Sequence, residues 1–265
     1  MDRRPVLFLD SGIGGIPYCR HFCLRNPDEN IVYLADRARF PYGKRSREEL
    51  AAILHALAEE LVSLMNPKIV VLACNTATVS AISSLREAFP GLPFVGTVPA
   101  IKPALSGSRR GRVGVLGTGR TLADPYIADL AAKYGPGCEI TGIAAPELVE
   151  FVEYRYTAAG EEEKTQRVLP YLERFRAAGA DALVLGCTHF LHLLGEFRRE
   201  AAPAITVYDS VEGISRRIES LLEGGELRNT GGGEGRFLVT GETDDPSWRY
   251  WAGSLGFSLS PWKPQ

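Results

Sequence analysis

Short runs of Val, Ile and Leu recur along this chain, and between them lie longer segments whose apolar residues keep a helical period. That alternation is the signature of a parallel sheet with crossover helices. The clearest runs are Val6–Asp10, Ile31–Ala35, Ile69–Ala73, Arg112–Leu116, Ala182–Gly186 and Ile205–Tyr208. Each is almost continuously hydrophobic, as expected for strands covered on both faces. The clearest helix spans Ser46–Met65, where Leu50, Ile53, Leu54, Leu57, Leu61 and Leu64 keep to one stripe and Ser46 with Glu49 has capping-box spacing. Residues 160–178 also read as a helix, which Pro170 is expected to break or kink. The segment "GELRNTGGGEGRF" (225–237) reads as a flexible surface loop before a last strand and helix.

At 265 residues and 45% hydrophobic, the chain can bury either one large α/β core or two smaller ones. A net charge of −2 gives no basic field to draw it to nucleic acid. No apolar stretch approaches the ~20 residues that cross a bilayer. Met1-Asp2-Arg3-Arg4-Pro5 runs straight into a strand without a signal-peptide core. Five cysteines are an odd count and too sparse for a disulfide framework at this length. A reduced cytoplasmic enzyme acting on a small molecule, with no nucleic-acid or membrane partner, is the expected class.

An internal echo adds to this. "IVVLACNTA" (69–77) and "ALVLGCTHF" (182–190) share a Val-Leu-x-Cys core, each followed by a helix-like segment. Cys74 and Cys187 therefore end two strands in matching contexts, about one small domain apart. Ligands of open parallel sheets sit at the carboxyl ends of strands, where both cysteines fall. The residues that follow, Asn75-Thr76 and Thr188-His189, supply side-chain donors and open helix N-termini that favour a carboxylate or a thiolate. Buried cysteine is also ordinary core packing, so either reading stands for one such residue alone. "FLDSGIGG" (8–15) brings Asp10, Ser11 and a glycine turn to the end of the first strand, without the Lys of a P-loop or the spacing of a dinucleotide fingerprint. "RFPYGKRS" (39–46) places Pro41-Tyr42-Gly43 on a loop after the second strand, where substrate contacts collect.

Taken together, Asp10-Ser11-Gly12 with Gly14-Gly15, Pro41-Tyr42-Gly43, Ala73-Cys74-Asn75-Thr76-Ala77, Gly117-Thr118 and Gly186-Cys187-Thr188-His189 resemble the glutamate racemase family in order and spacing. The resemblance extends to Asp209-Ser210 and the closing "FLVTGETDDPSWRYWAGSLG". It implies two similar α/β lobes, each a mainly parallel sheet flanked by helices, with the active site between them. One lobe is expected from residues 1–97 with 209–265, the other from 98–208. It also implies racemisation of glutamate by two thiols without a cofactor or metal. Cys74 would act on the D-enantiomer and Cys187 on the L-enantiomer, with Asp10 assisting the first thiol and His189 the second. Glu153 aligns best with the family's glutamate, and Glu150 competes for that place. Ser11, Pro41, Tyr42, Gly43, Asn75, Thr76, Thr118, Thr121 and Thr188 are the expected substrate-holding residues. The product would feed peptidoglycan precursor synthesis, and a homodimer is the commonest family assembly.

Departures from the family pattern are Ala145 for a cysteine, Asp124 for a serine, and Leu191-His192 for Pro-Leu. None removes a catalytic group, while Asp124 and His192 add titratable groups. Other readings remain. Cys187-x-His189 also fits a Cys–His nucleophile pair, which leaves Cys74 idle. An aspartate-acting relative and an amino-acid-binding protein on the same scaffold are further alternatives. "CRHFC" (19–23) puts Cys19 and Cys23 on one helix face and His21 away from it, too few ligands for zinc. Cys138 reads as structural, His55 as a flank residue, and Trp248, Trp251 and Trp262 as packing or interface.

Overall fold

The structure is a computed structural model that describes residues 1–241 and 244–262. Glu242 and Thr243 of the closing motif, and the last three residues, lie outside the described residues. The chain divides into two compact units, residues 1–97 with 211–265 and residues 98–210. Among the described residues, no helix is long and apolar enough to cross a membrane.

The first unit runs β1 (Val6–Asp10), α1 (Ile16–Arg25), β2 (Ile31–Ala35), α2 (Arg47–Met65), β3 (Ile69–Leu72), α3 (Asn75–Ala88) and β4 (Phe94–Gly96). The second unit follows with α4 (Ile101–Gly107), β5 (Arg112–Gly117), α5 (Gly119–Ala123), α6 (Pro125–Tyr134), β6 (Glu139–Ala144), α7 (Pro146–Tyr154), α8 (Glu161–Ala177), β7 (Ala182–Gly186), α9 (Leu194–Ala201) and β8 (Thr206–Tyr208). The chain then returns to the first unit through α10 (Val211–Gly224), β9 (Gly235–Thr240), α11 (Ser247–Leu255) and β10 (Ser258–Trp262).

Both sheets are parallel, in the orders β10-β9-β2-β1-β3-β4 and β6-β5-β7-β8. The blocks β2-β1-β3-β4 and β6-β5-β7-β8 have the same topology, so the short Val-Leu-x-Cys echo marks a real structural repeat. In each block the connection reverses direction after the second strand. That creates a switch point between β1 and β3 in one unit and between β5 and β7 in the other, the place where open α/β sheets bind ligands. Register makes the correspondence residue by residue. Leu9 pairs with Leu72 and Leu116 with Leu185, so Cys74 corresponds to Cys187 and Ser11 to Thr118.

The central strands are buried on both faces, as their unbroken hydrophobicity requires. Against β1–β3 pack Leu50, Leu54, Leu57 and Leu61 of α2, in one core cluster with Tyr42, Cys74 and Ala77. Leu64, expected on that stripe, is 47% exposed because it falls in the last turn of α2, at the margin of the buried face. Ser46 accepts the Glu49 amide at 3.0 Å, but the Glu49 carboxylate pairs with Arg45 instead of closing the capping box. Of the two expected outcomes at Pro170, a break does not occur: α8 is continuous through it. Pro170 and Gln166, whose carbonyl loses its helical partner to the proline, are both exposed, so the lost bond falls on the solvent side of the helix. Val168, Tyr171, Leu172 and Phe175 hold the opposite face in the core. The expected loop ends early, since β9 already begins at Gly235, and a further strand, β10, follows α11. Trp248 and Trp251 are buried, and Trp262 packs on the first core.

Candidate active site

In the first unit three segments reach the carboxyl ends of the central strands. β1 ends in the fully buried Asp10, whose Oδ1 accepts the Gly12 amide at 2.7 Å and so turns the chain sharply towards α1. The Tyr33 hydroxyl donates to the Gly12 carbonyl at 2.8 Å and holds the same turn from β2. Gly15 makes the approach feasible: a Cβ there would lie 2.6 Å from the Ala73 Cβ and 3.0 Å from the Ala73 carbonyl oxygen. Only glycine lets the Asp10–Ser11 loop lie against the residue that precedes Cys74.

Cys74 is 7% exposed and sits in extended backbone just ahead of α3, its carbonyl accepting the Thr78 amide at 2.9 Å. Asn75 and Thr76, both buried, form the first turn of α3. The Pro41-Tyr42-Gly43 turn follows β2. The Tyr42 ring is buried in the cluster that holds Cys74, while Gly43 faces open space. Burial, then the Asp36 carboxylate, push the Tyr42 phenol well above its ordinary range, and the Cys74 and Asp10 groups add to the effect. Tyr42 thus lies close enough to both Asp10 and Cys74 for their charges to act on its phenol.

The second unit repeats the arrangement with different side chains. Cys187 is 6% exposed, ends β7 in the same extended conformation as Cys74, and opens a 3-10 turn over Thr188–Leu193. Its sulfur lies 3.9 Å from His189 Nδ1, and His189 Nε2 lies 2.9 Å from Glu153 Oε2 on α7. All three side chains are buried. Burial by itself would lower the pKa of the His189 imidazole; the bonds to Cys187 and Glu153 reverse that and hold it well above the usual histidine range. Glu150, the competing glutamate, is exposed on α7. After β5, Thr118 Oγ1 accepts the Thr121 amide at 3.3 Å and lies 3.0 Å from Thr121 Oγ1, with Thr121 buried. Thr188 is buried beside the catalytic candidates.

The departures have local roles. Asp124 caps α6 by accepting the Tyr126 amide at 3.0 Å. His192 packs edge-on against Tyr156, and Ala145 is fully buried just ahead of α7. Cys19 and Cys23 lie 3.8 Å apart on α1, and His21 turns away to Glu212. His55 meets Ser84 across α2 and α3 at 2.8 Å. One group the sequence reading did not single out is Asp36, fully buried one residue after β2. The available signal was its likeness to Asp10, a carboxylate closing an apolar strand.

The model of the Asp/Glu/Hydantoin racemase family matches residues 23–215. A glutamate racemase from Roseiflexus sp. strain RS-1 is 40% identical over 92% of this chain and 88% of its own length. Among solved structures, Escherichia coli glutamate racemase in complex with L-glutamate and the activator UDP-MurNAc-ala is similar with a TM-score of 0.82, at 28% identity over 97% of both chains. Glutamate racemase from Francisella tularensis in complex with D-glutamate is similar with a TM-score of 0.81, at 26% identity over 100% of this chain and 99% of that one. With a matching family model, close relatives and the same fold, the chain belongs to the Asp/Glu/Hydantoin racemase family, among its glutamate racemases, and is an amino-acid racemase.

Proposed function

We propose that this chain interconverts L- and D-glutamate by a two-base mechanism that needs no cofactor, with Cys74 and Cys187 as the two bases. The observation that carries the reading is the repeat: each unit ends the third strand of the same topology in a buried cysteine at a helix start. In the D to L direction the Cys74 thiolate takes the α-proton and the Cys187 thiol donates one to the opposite face. The reverse direction exchanges the roles. The proton count balances, because one thiol gains what the other loses. The carbanion formed beside a carboxylate needs preorganised donors in a water-poor setting. Ser11, Asn75, Thr76, Thr118, Thr121 and Thr188, with the peptide groups of Pro41-Tyr42-Gly43, are the candidates for holding the amino acid. Asp10 assists Cys74. His189, held by Glu153, assists Cys187, and its raised pKa suits an imidazolium beside a thiolate.

The thiols require a reducing compartment, in keeping with the cytoplasm. The E. coli relative's activator, UDP-MurNAc-ala, supports a place for the product in peptidoglycan precursor synthesis. A homodimer is the proposed assembly, readable by light scattering. The test of the chemistry is incubation with L-glutamate in D₂O without added cofactor, following optical rotation and loss of the α-proton signal. Racemisation with deuterium uptake is expected. Cys74→Ser and Cys187→Ser should each lose about 10²–10⁴-fold in kcat, the usual contribution of one positioned acid–base group. Reaction with L-aspartate alone would overturn the substrate, and full racemisation by either variant would overturn the two-base mechanism.

A further inference from the structure

Resting on the reading that the Pro41-Tyr42-Gly43 turn holds the substrate, we infer that Asp36 is a positioning residue for that turn, acting through the Tyr42 hydroxyl. A buried carboxylate is costly unless donors surround it. Asp36 is fully buried and has three side-chain donors. Tyr42 donates to Oδ2 at 2.8 Å, and Thr240 and Arg39 donate to Oδ1 at 2.8 Å each. Its backbone amide donates to the Asp10 carbonyl at 2.8 Å, which fixes it to the strand that carries Asp10. The carboxylate thus joins the ends of β2 and β9 to a tyrosine of the turn, and the amide of the same residue ties them to β1.

The structural repeat separates this role from simple packing. Leu34 pairs with Leu9 and Ile143 with Leu116, so Asp36 corresponds to Ala145 in the second unit. The Ala145 amide makes the matching bond, to the Gly117 carbonyl at 3.1 Å. Alanine therefore suffices for the strand-end geometry, and the carboxylate serves something found only in the first unit. That something is the turn. Its own bonds run from Lys44 N to the Pro41 carbonyl and from Arg45 N to the Tyr42 carbonyl. The Tyr42 and Gly43 amides precede that ladder, as the first amides of any helical turn do. With the Tyr42 ring held in the core at one end and its hydroxyl held by Asp36 at the other, the direction of those peptide groups is set by the carboxylate.

Three variants of the full-length protein test this: Asp36→Asn, Tyr42→Phe and the double variant, each assayed for KM and kcat in both directions with glutamate. Asp36→Asn and Tyr42→Phe should each raise KM by about tenfold, the worth of one lost hydrogen bond, with a smaller change in kcat. The double variant should be no worse than the poorer single one, because both changes cut the same link. Thr240→Val, which removes a donor from the same carboxylate without touching Tyr42, should lower the melting temperature and leave KM in place. An unmoved KM in Tyr42→Phe, which keeps the ring and so folds even where Asp36→Asn does not, would overturn the inference. So would effects of the two single changes that simply multiply. Absence of glutamate turnover in the unaltered protein would overturn the functional reading and take this inference with it. Turnover with unmoved KM values overturns the inference alone.

Discussion

Burial by itself would keep the His189 imidazole neutral, yet its two partners, the Cys187 sulfur and the Glu153 carboxylate, hold its pKa well above the ordinary value. A group whose folded pKa is raised contributes stability in full below its unfolded value, near 6.5, and loses it as pH rises through the folded value. The contribution of the His189 network should therefore be complete in mild acid and decline on the alkaline side. Replacing Glu153 with Gln keeps the shape and removes the carboxylate's part of that effect. The expected outcome is a lower His189 pKa, read from the imidazole proton shifts of the chain's four histidines, with a stability–pH curve that begins to fall at lower pH. An unmoved titration would show that Glu153 does not act on the ring. Cys74 and Cys187 were legible in the sequence because strand, cysteine and polar helix start are contiguous. Asp36 was not, because its partner Thr240 lies 204 residues away and a carboxylate after an apolar run looks like any loop residue. The facing of His189 and Cys187 was expected from the family resemblance and not from spacing, since it depends on how the 3-10 turn after β7 aims two residues of alternate position.

Among the elements, the turn between β1 and α1 is the most tightly constrained. At Gly15 a single methyl group would meet the Ala73 Cβ and carbonyl, both part of rigid strand-end backbone, as well as the Tyr33 hydroxyl at 3.2 Å. Gly15→Ala must push the Asp10–Ser11 loop away from β3. It should cost about 1–3 kcal/mol in urea unfolding, the range for overpacking. Activity should fall more than stability alone explains, because Asp10 moves with the loop. A variant of unchanged stability and rate would show that the loop has slack. Long elements read well from sequence: α2 has its stripe and its Ser46 cap, and its end at Asn66 takes the left-handed conformation that asparagine tolerates (φ 45°). Short ones read poorly. β4 has three residues, too few for a period, and β10 carries Pro261, which an edge strand accepts but a central one would not. At Pro170 the sequence left a break open for the complementary reason, since the cost of the proline depends on whether the freed carbonyl faces solvent.

At the scale of the molecule, the first unit is assembled from both ends of the chain, so residues before β1 must be tied to residues before β9. One buried lysine does this. Lys68, just ahead of β3, donates to the Asp2 carbonyl at 2.9 Å and the Leu227 carbonyl at 2.7 Å, and its Nζ lies 2.5 Å from Glu29 Oε2. Glu29 Oε1 in turn accepts the Asn229 amide at 3.1 Å. Two of the ammonium donors go to those carbonyls, and the charge is buried beside the Glu29 carboxylate. These segments precede β1, β2, β3 and β9, so the pin lies at the amino ends of the strands, away from the ends that carry Asp10 and Cys74. Lys68→Met leaves the Glu29 carboxylate buried without its counter-charge and should cost about 3–5 kcal/mol. The three tryptophans, Trp248, Trp251 and Trp262, all belong to the first unit, so their fluorescence in a urea titration reports this loss directly. KM for glutamate should stay unchanged in protein that remains folded, because the pin supports the sheet from the edge opposite the reacting groups. A loss below about 1 kcal/mol, the worth of an exposed ion pair, would mean that water reaches the pair and that other contacts close the unit.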